Sequence, residues 1–281
     1  MDEVALRRCE SYFPGAQGRR LFRRSWAPPA PRAALVLVHG YGEHSGRYER
    51  FGAWFGARGF AVHAFDQQGH GRSEGPRFHV RRFEDLLDDL AQLLGWVRRE
   101  HPDTPQFLVG HSMGGLVAAA YARERRPHLC GFVTSGAALR IGEKIPGLRL
   151  RVVRGLRLFL PRLSIDTGLD PENLCSDSEV VRAYREDPLV GSRMTASLAV
   201  EFIDASRRTA AAAAEIGLPA LVLHGGEDSI CSAAASADFA QAIPRAQLKI
   251  YAGMRHEIFN EPEHEAVFRD VLEWAKACAR A

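Results

Sequence analysis

Phe107-Leu108-Val109-Gly110-His111-Ser112-Met113-Gly114-Gly115-Leu116-Val117-Ala118-Ala119-Ala120 is the stretch on which the fold turns. Its aliphatic start reads as a strand and its alanine-rich end as a helix, with Gly-His-Ser-Met-Gly between them. Taken alone, GxSxG is weak, since a chain this rich in Gly and Ser would carry ~0.13 such matches by chance. Position makes it strong. So short a turn from strand to helix needs glycine on both sides, because a side chain there would meet the neighbouring strand or helix. The turn holds the Ser112 hydroxyl exposed above the sheet, and the helix N-terminus behind it favours developing negative charge. A glycine-rich helix start with an incidental serine is the plainer reading and the weaker one in this context.

Working outward, Leu35–Val38, Ala61–Phe65, Phe132–Thr134, Leu221–Leu223 and Leu248–Tyr251 are further short β-branched or aliphatic runs closed by glycine or polar turns. Between them, Tyr48–Arg58, Phe83–Glu100, Met113–Arg125, Ala233–Ala242 and Pro262–Ala279 carry helical spacing. In Phe83, Leu86, Leu87, Leu90, Leu93, Leu94 and Val97 the apolar steps of three and four mark one buried face. This alternation predicts an α/β fold with a mostly parallel sheet covered on both faces, with Leu21–Trp26 as an antiparallel edge strand. One connection breaks the rhythm: residues 138–215 are far longer than a single crossover helix requires, which predicts a helical cap inserted into a core made of residues 1–137 and 216–281.

A serine hydroxyl needs a base, and the base needs an orienting carboxylate. With the serine at one strand end, the order Ser, acid, His places the others after later strands. His224-Gly225-Gly226-Glu227-Asp228 follows one strand and Ala252-Gly253-Met254-Arg255-His256 the last. Ser112, Asp228 and His256 are therefore the expected triad, with Glu227 the local rival for the acid and Asp66 the distant one. Asp66 better suits bracing the turn Gln67–Gly71. His256-Glu257 opens an apparent zinc motif, but Asn260 stands where HExxH needs histidine. Two backbone donors are also required for an oxyanion. The Met113 amide, just after the nucleophile, is one, and the Tyr41 amide of His39-Gly40-Tyr41-Gly42 is the other.

Composition limits the alternatives. The 281 residues are 46% hydrophobic and 25% charged, enough to bury a sizeable core. The net charge of +3, with only three lysines among 37 basic residues, gives no nucleic-acid footprint. Five scattered cysteines without a CxxC pair argue against a disulfide framework or thiolate metal site. No uncharged apolar run approaches the ~18 residues of a membrane span, and Met1–Cys9 has no apolar signal-peptide core. A cytoplasmic setting is expected.

His39–Tyr48, Asp66-Gln67-Gln68-Gly69-His70-Gly71-Arg72-Ser73-Glu74-Gly75 and Gly110–Gly115 resemble the monoglyceride lipases and lysophospholipases among the serine α/β-hydrolases. Asn173-Leu174, Tyr184–Leu189 and Gly226-Glu227-Asp228 extend the likeness across most of the chain. Ser176 stands where the family carries arginine, and Tyr41 replaces a commonly smaller residue. The resemblance implies an α/β-hydrolase fold, hydrolysis of monoacylglycerol to fatty acid and glycerol through an acyl-enzyme, and no metal or organic cofactor. It also implies that Glu43, Arg47 and Tyr184 line the glycerol end, where a surface Glu43–Arg47 pair is the plainer reading, and that Cys231 lies beside the site. Lysophospholipase or general carboxylesterase activity is the alternative. Carbon–carbon bond hydrolases and perhydrolases share the Ser-Asp-His order, and a ligand-binding protein that has lost catalysis would lack a triad member. Leu148–Leu163 interleaves apolar residues with arginines, which fits either peripheral membrane contact through the cap or packing on the core. The expected partner is a small lipid ester.

Overall fold

The computed structural model describes residues 6–141 and 146–280, so the start of the chain through Ala5 and residues 142–145 of the insertion lie outside them. The chain opens with β1 (Arg7–Pro14) and β2 (Arg20–Ala27), then β3 (Ala33–Val38), α1 (Glu49–Gly56), β4 (Phe60–Phe65), α2 (Glu84–Glu100), β5 (Gln106–His111), α3 (Met113–Arg125) and β6 (Gly131–Ser135). The long connection holds α4 (Gly147–Phe159), β7 (Ser164–Asp166), α5 (Ser178–Glu186), β8 (Arg193–Thr195) and α6 (Ala196–Ala211). β9 (Ala220–Gly225), α7 (Ala233–Ala242), β10 (Ala246–Tyr251) and α8 (His264–Arg280) complete it.

The main sheet runs β1-β2-β4-β3-β5-β6-β9-β10. β1 and β2 pair antiparallel, β2 pairs antiparallel with β4, and every later pairing is parallel. Alternation along β3 sends Ala34, Val36 and Val38 into a core under α2, α3 and α7, while Leu35 and Leu37 join a second core with α1 and α8. That is the two-faced burial a parallel sheet requires. From β3 the chain goes outward to β4 and then crosses to β5 on the other side, so the strand order reverses between β3 and β5. Ligands in open α/β sheets bind outside the carboxyl ends of strands at such a switch point.

The edge assignment needs correction. Leu21–Trp26 does pair antiparallel, but it is flanked on both sides, and the edge is taken by Arg7–Pro14. Only Phe13 of β1 is buried, so its sequence carries almost no hydrophobic pattern. The other edge strand, β10, leaves Leu248 and Ile250 about two-fifths exposed, at 42% and 41%. Coverage of the sheet is therefore incomplete at that margin.

Candidate active site

Ser112 sits between β5 and α3 with φ +53° and ψ −116°. This is a left-handed backbone that L-residues adopt at a cost, of order 1–3 kcal/mol. Two close approaches enforce it. A Cβ on Gly110 would lie 2.2 Å from the Gly114 carbonyl oxygen, and one on Gly114 would lie 2.1 Å from the Val38 carbonyl oxygen. The glycines let α3 pack directly against the end of β3, and the hydroxyl is thrust up at the switch point.

Asp228 follows β9, and His256 follows β10. His256 Nδ1 lies 2.7 Å from Asp228 Oδ2, while Oδ1 accepts the amides of Ile230 at 2.8 Å and Cys231 at 2.9 Å. With Nδ1–H donating to the carboxylate, Nε2 is left as the acceptor. His224 Nε2 also lies 2.9 Å from Oδ2, off the line of a well-formed hydrogen bond. Burial opposes ionisation of Asp228, but the His224 and His256 imidazoles and the Cys231 amide overcome it and hold the carboxyl well below the usual range. Glu227, the rival acid, is exposed. Asp66 accepts the Ser45 amide at 2.8 Å and the Arg72 amide at 2.8 Å, so it staples two loops together.

Ser112 and His256 line one cavity of about 350 Å³ with Gly40, Tyr41, Glu43 and Tyr184. They share this space rather than a hydrogen bond, and such contacts often tighten only with substrate bound. Met113 buries its side chain in the core, while its amide heads α3, where no intrahelical acceptor exists. Across the cavity the Tyr41 peptide follows Gly40, whose Cβ would lie 3.2 Å from the Ser112 Cβ. His39 shapes this loop: its Nδ1 meets the Gly40 carbonyl at 2.7 Å and its Nε2 accepts the Gln67 amide at 2.9 Å. Cys231 is buried on the cavity wall, and its sulfur lies within 4.8 Å of ligating atoms of Asp228 and His256.

The expected polar end is built differently. Glu43 and Tyr184 do reach the cavity wall, and burial pushes the Tyr184 hydroxyl up to about 12. Arg47 lies one layer behind, and it is not a surface residue either. Its side chain is 9% exposed, its guanidinium lies over the Tyr184 ring at 4.8 Å, and it bonds Glu43 at 2.9 Å. Three residues were missed from the sequence. His111 packs against His256, ring centroids 4.7 Å apart and tilted by 54°, and burial, with His256 next, lowers its pKa to about 4. His224 flanks the acid. Glu257 lines the cavity and is 3% exposed. Asn260, which disqualified the zinc motif, donates to Glu257 at 2.8 Å, so the spacing that failed as a metal site forms a hydrogen bond. No sequence signal separated Glu257 from any charge next to a loop histidine.

A second cavity of about 250 Å³ adjoins the first through Thr167, Met194 and Phe202, and it is walled by Leu150, Val153, Ile165 and Ile203. Its outer wall, α4, has no buried residue. Leu158 and Phe159 point outward at 78% and 84% exposure.

A strained serine between a central strand and its helix, with acid and base on the ends of later strands, is the architecture of the α/β-hydrolases, and the strand order here is theirs. Within that fold the chain belongs to the serine aminopeptidase S33 family, whose profile matches residues 29–263, and it is a serine hydrolase. It is 35% identical over 275 residues to a monoacylglycerol lipase of Mycolicibacterium smegmatis, covering 96% of this chain and 98% of that one. It is 33% identical over 271 residues to the human monoglyceride lipase, covering 94% and 89%. The crystal structure of Paleococcus ferrophilus monoacylglycerol lipase superposes with a TM-score of 0.82 at 34% identity, over 92% of this chain and 99% of that one.

Proposed function

We propose that this chain hydrolyses monoacylglycerols, with Ser112 as nucleophile, His256 as base and Asp228 as the orienting acid. The observation that carries the reading is the Asp228–His256 bond at 2.7 Å, which opens onto the cavity that also holds Ser112 and leads into an apolar extension. Ser112 Oγ attacks the ester carbonyl as His256 Nε2 takes its proton. The oxyanion is received by the Tyr41 and Met113 amides. His256 then protonates the departing glycerol oxygen, and a water activated by the same nitrogen releases the fatty acid. The acyl chain lies in the second cavity, where each buried methylene contributes about 0.8 kcal/mol at most.

Residues 138–215 act as the cap that covers this path, and Glu43, Tyr184 and Cys231 surround the alcohol end. The outward apolar residues of α4 make peripheral contact with a lipid surface. Among the described residues no helix is long and apolar enough to cross a membrane, so that contact would be superficial. The test is kcat/KM across monoolein, diolein, triolein, lysophosphatidylcholine and short nitrophenyl esters, with fluorophosphonate labelling of Ser112. Monoolein should lead. A preference for triolein or for acetate esters would overturn the substrate class, a lead for lysophosphatidylcholine would favour the phospholipid alternative, and an unlabelled Ser112 would overturn the mechanism.

A further inference from the structure

Glu257 takes part in none of these steps, yet it is buried beside the base. Its carboxylate receives Arg47 through both terminal nitrogens, at 2.6 and 2.8 Å. Arg47 reaches back to Glu43 Oε2 at 2.9 Å. The other oxygen of Glu43 accepts the Gly40 amide at 2.6 Å and the Tyr48 hydroxyl at 2.7 Å. Burial opposes charge on both carboxylates, but Arg47 and His111, joined by His39 at Glu43 and by Asn260 at Glu257, together outweigh it, so both are held below the usual glutamate range. We propose that Glu257 and Arg47 are positioning residues which, through Glu43, hold the loop carrying the Tyr41 oxyanion donor in register with the loop carrying His256.

The argument is one of connectivity and cost. Gly40 is the peptide before Tyr41 and Glu257 the residue after His256, so side-chain bonds run unbroken from beside one reacting group to beside the other. They join positions 210 apart in sequence. One guanidinium between two carboxylates leaves excess buried negative charge, and buried ion pairs seldom repay their desolvation as stability. A planar bidentate fork does fix angle as well as distance. Binding of glycerol by these groups fits less well. Glu43 already accepts three donors, and both terminal nitrogens of Arg47, which does not itself line the cavity, are spent on Glu43 and Glu257.

The inference rests on Ser112 being the nucleophile, which labelling checks separately. Glu257→Gln keeps the shape and removes the charge; Arg47→Lys keeps the charge and removes the fork. Each variant is assayed on a short nitrophenyl ester and on a monoacylglycerol, and titrated with a trifluoromethyl ketone that forms a tetrahedral adduct. We expect kcat to fall roughly 10- to 100-fold on both substrates. KM should stay near the wild-type value, and ketone affinity should weaken by the same factor as kcat. Loss confined to monoacylglycerol, or expressed in KM, would assign these groups to alcohol binding and overturn the proposal. So would unchanged ketone affinity or wild-type kcat. If Glu257→Gln does not fold, Arg47→Lys is read against the same outcomes. A wild-type chain unlabelled at Ser112 overturns the mechanism and the positioning role together.

Discussion

At the scale of single residues, the site depends on which carboxylate faces the imidazole. Asp228 is held by two amides and His256, whereas Glu227 beside it is exposed. Steady-state kinetics should therefore show Ser112→Ala and His256→Ala losing roughly 10⁴-fold or more in kcat, with Asp228→Ala also severe and Glu227→Ala close to wild type. The reverse order for the two acids would reassign that role. Cys231 gives a second residue-level expectation, because its buried thiol faces the cavity and no proposed step uses it. A small maleimide should slow the wild type and leave Cys231→Ala unaffected; equal inhibition of both would place the sensitive thiol elsewhere.

At the scale of elements, the packing of α2 on the β1–β2 turn carries a strain that can be titrated. Asp89 of α2 is 2% exposed, accepts the Ala16 amide at 2.9 Å through Oδ1, and among the described residues has no partner at Oδ2. Burial pushes its carboxyl up to about 6. Below the ordinary value of 3.8, folded and unfolded chains both hold the proton and the group costs nothing. As pH rises from there to about 6, the unfolded chain releases its proton first, so stability falls. Above that window the cost is complete, on the order of 3 kcal/mol. Asp89→Asn, whose oxygen can keep the Ala16 bond, should raise Tm by a few degrees at pH 8 and leave it unchanged at pH 3.5. A Tm gain of equal size at both pH values would rule out the titration. Phe202 of α6 lines both cavities, so Phe202→Ala should move the preferred acyl chain longer. An unchanged chain-length profile would show that the second cavity is not the acyl path.

At the scale of the whole molecule, the strand order reverses between β3 and β5, which is where open α/β sheets place their ligands, and the proposed cap lies in the insertion after β6. Ser197 Oγ donates to the Val80 carbonyl at 2.6 Å, and Glu201 accepts the Phe83 amide at 2.7 Å, so α6 is fastened to the core. α4 is left outermost. Leu150, Val153 and Leu156 turn inward and are half-buried, while Leu148, Val152, Leu158 and Phe159 face out. A Leu158→Ser, Phe159→Ser double variant should lose roughly 10-fold or more in sedimentation with anionic vesicles. Its hydrolysis of a soluble short ester should stay at the wild-type rate. Vesicle binding unchanged by the double substitution would end the membrane reading for α4.

Strands β3 to β6, β9 and β10 and the five core helices were all legible in the sequence. Each is a contiguous run whose period or bounding glycines record which face is buried. The serine turn was legible for the same reason, since Gly110 and Gly114 answer clashes within a few residues of Ser112. That Asp228 and His256 would meet could be read because chain order after a parallel sheet fixes which strand ends adjoin. The edge strand β1 was not legible, because a strand that buries only Phe13 leaves no pattern to read. Nor were Glu257, His224 and the inward turn of Arg47, since their meaning lies in contacts between loops far apart in sequence. A charge there has no local signature to separate a solvated surface ion from one clamped between the segments that follow β3 and β10; only the packing of those distant segments makes that choice.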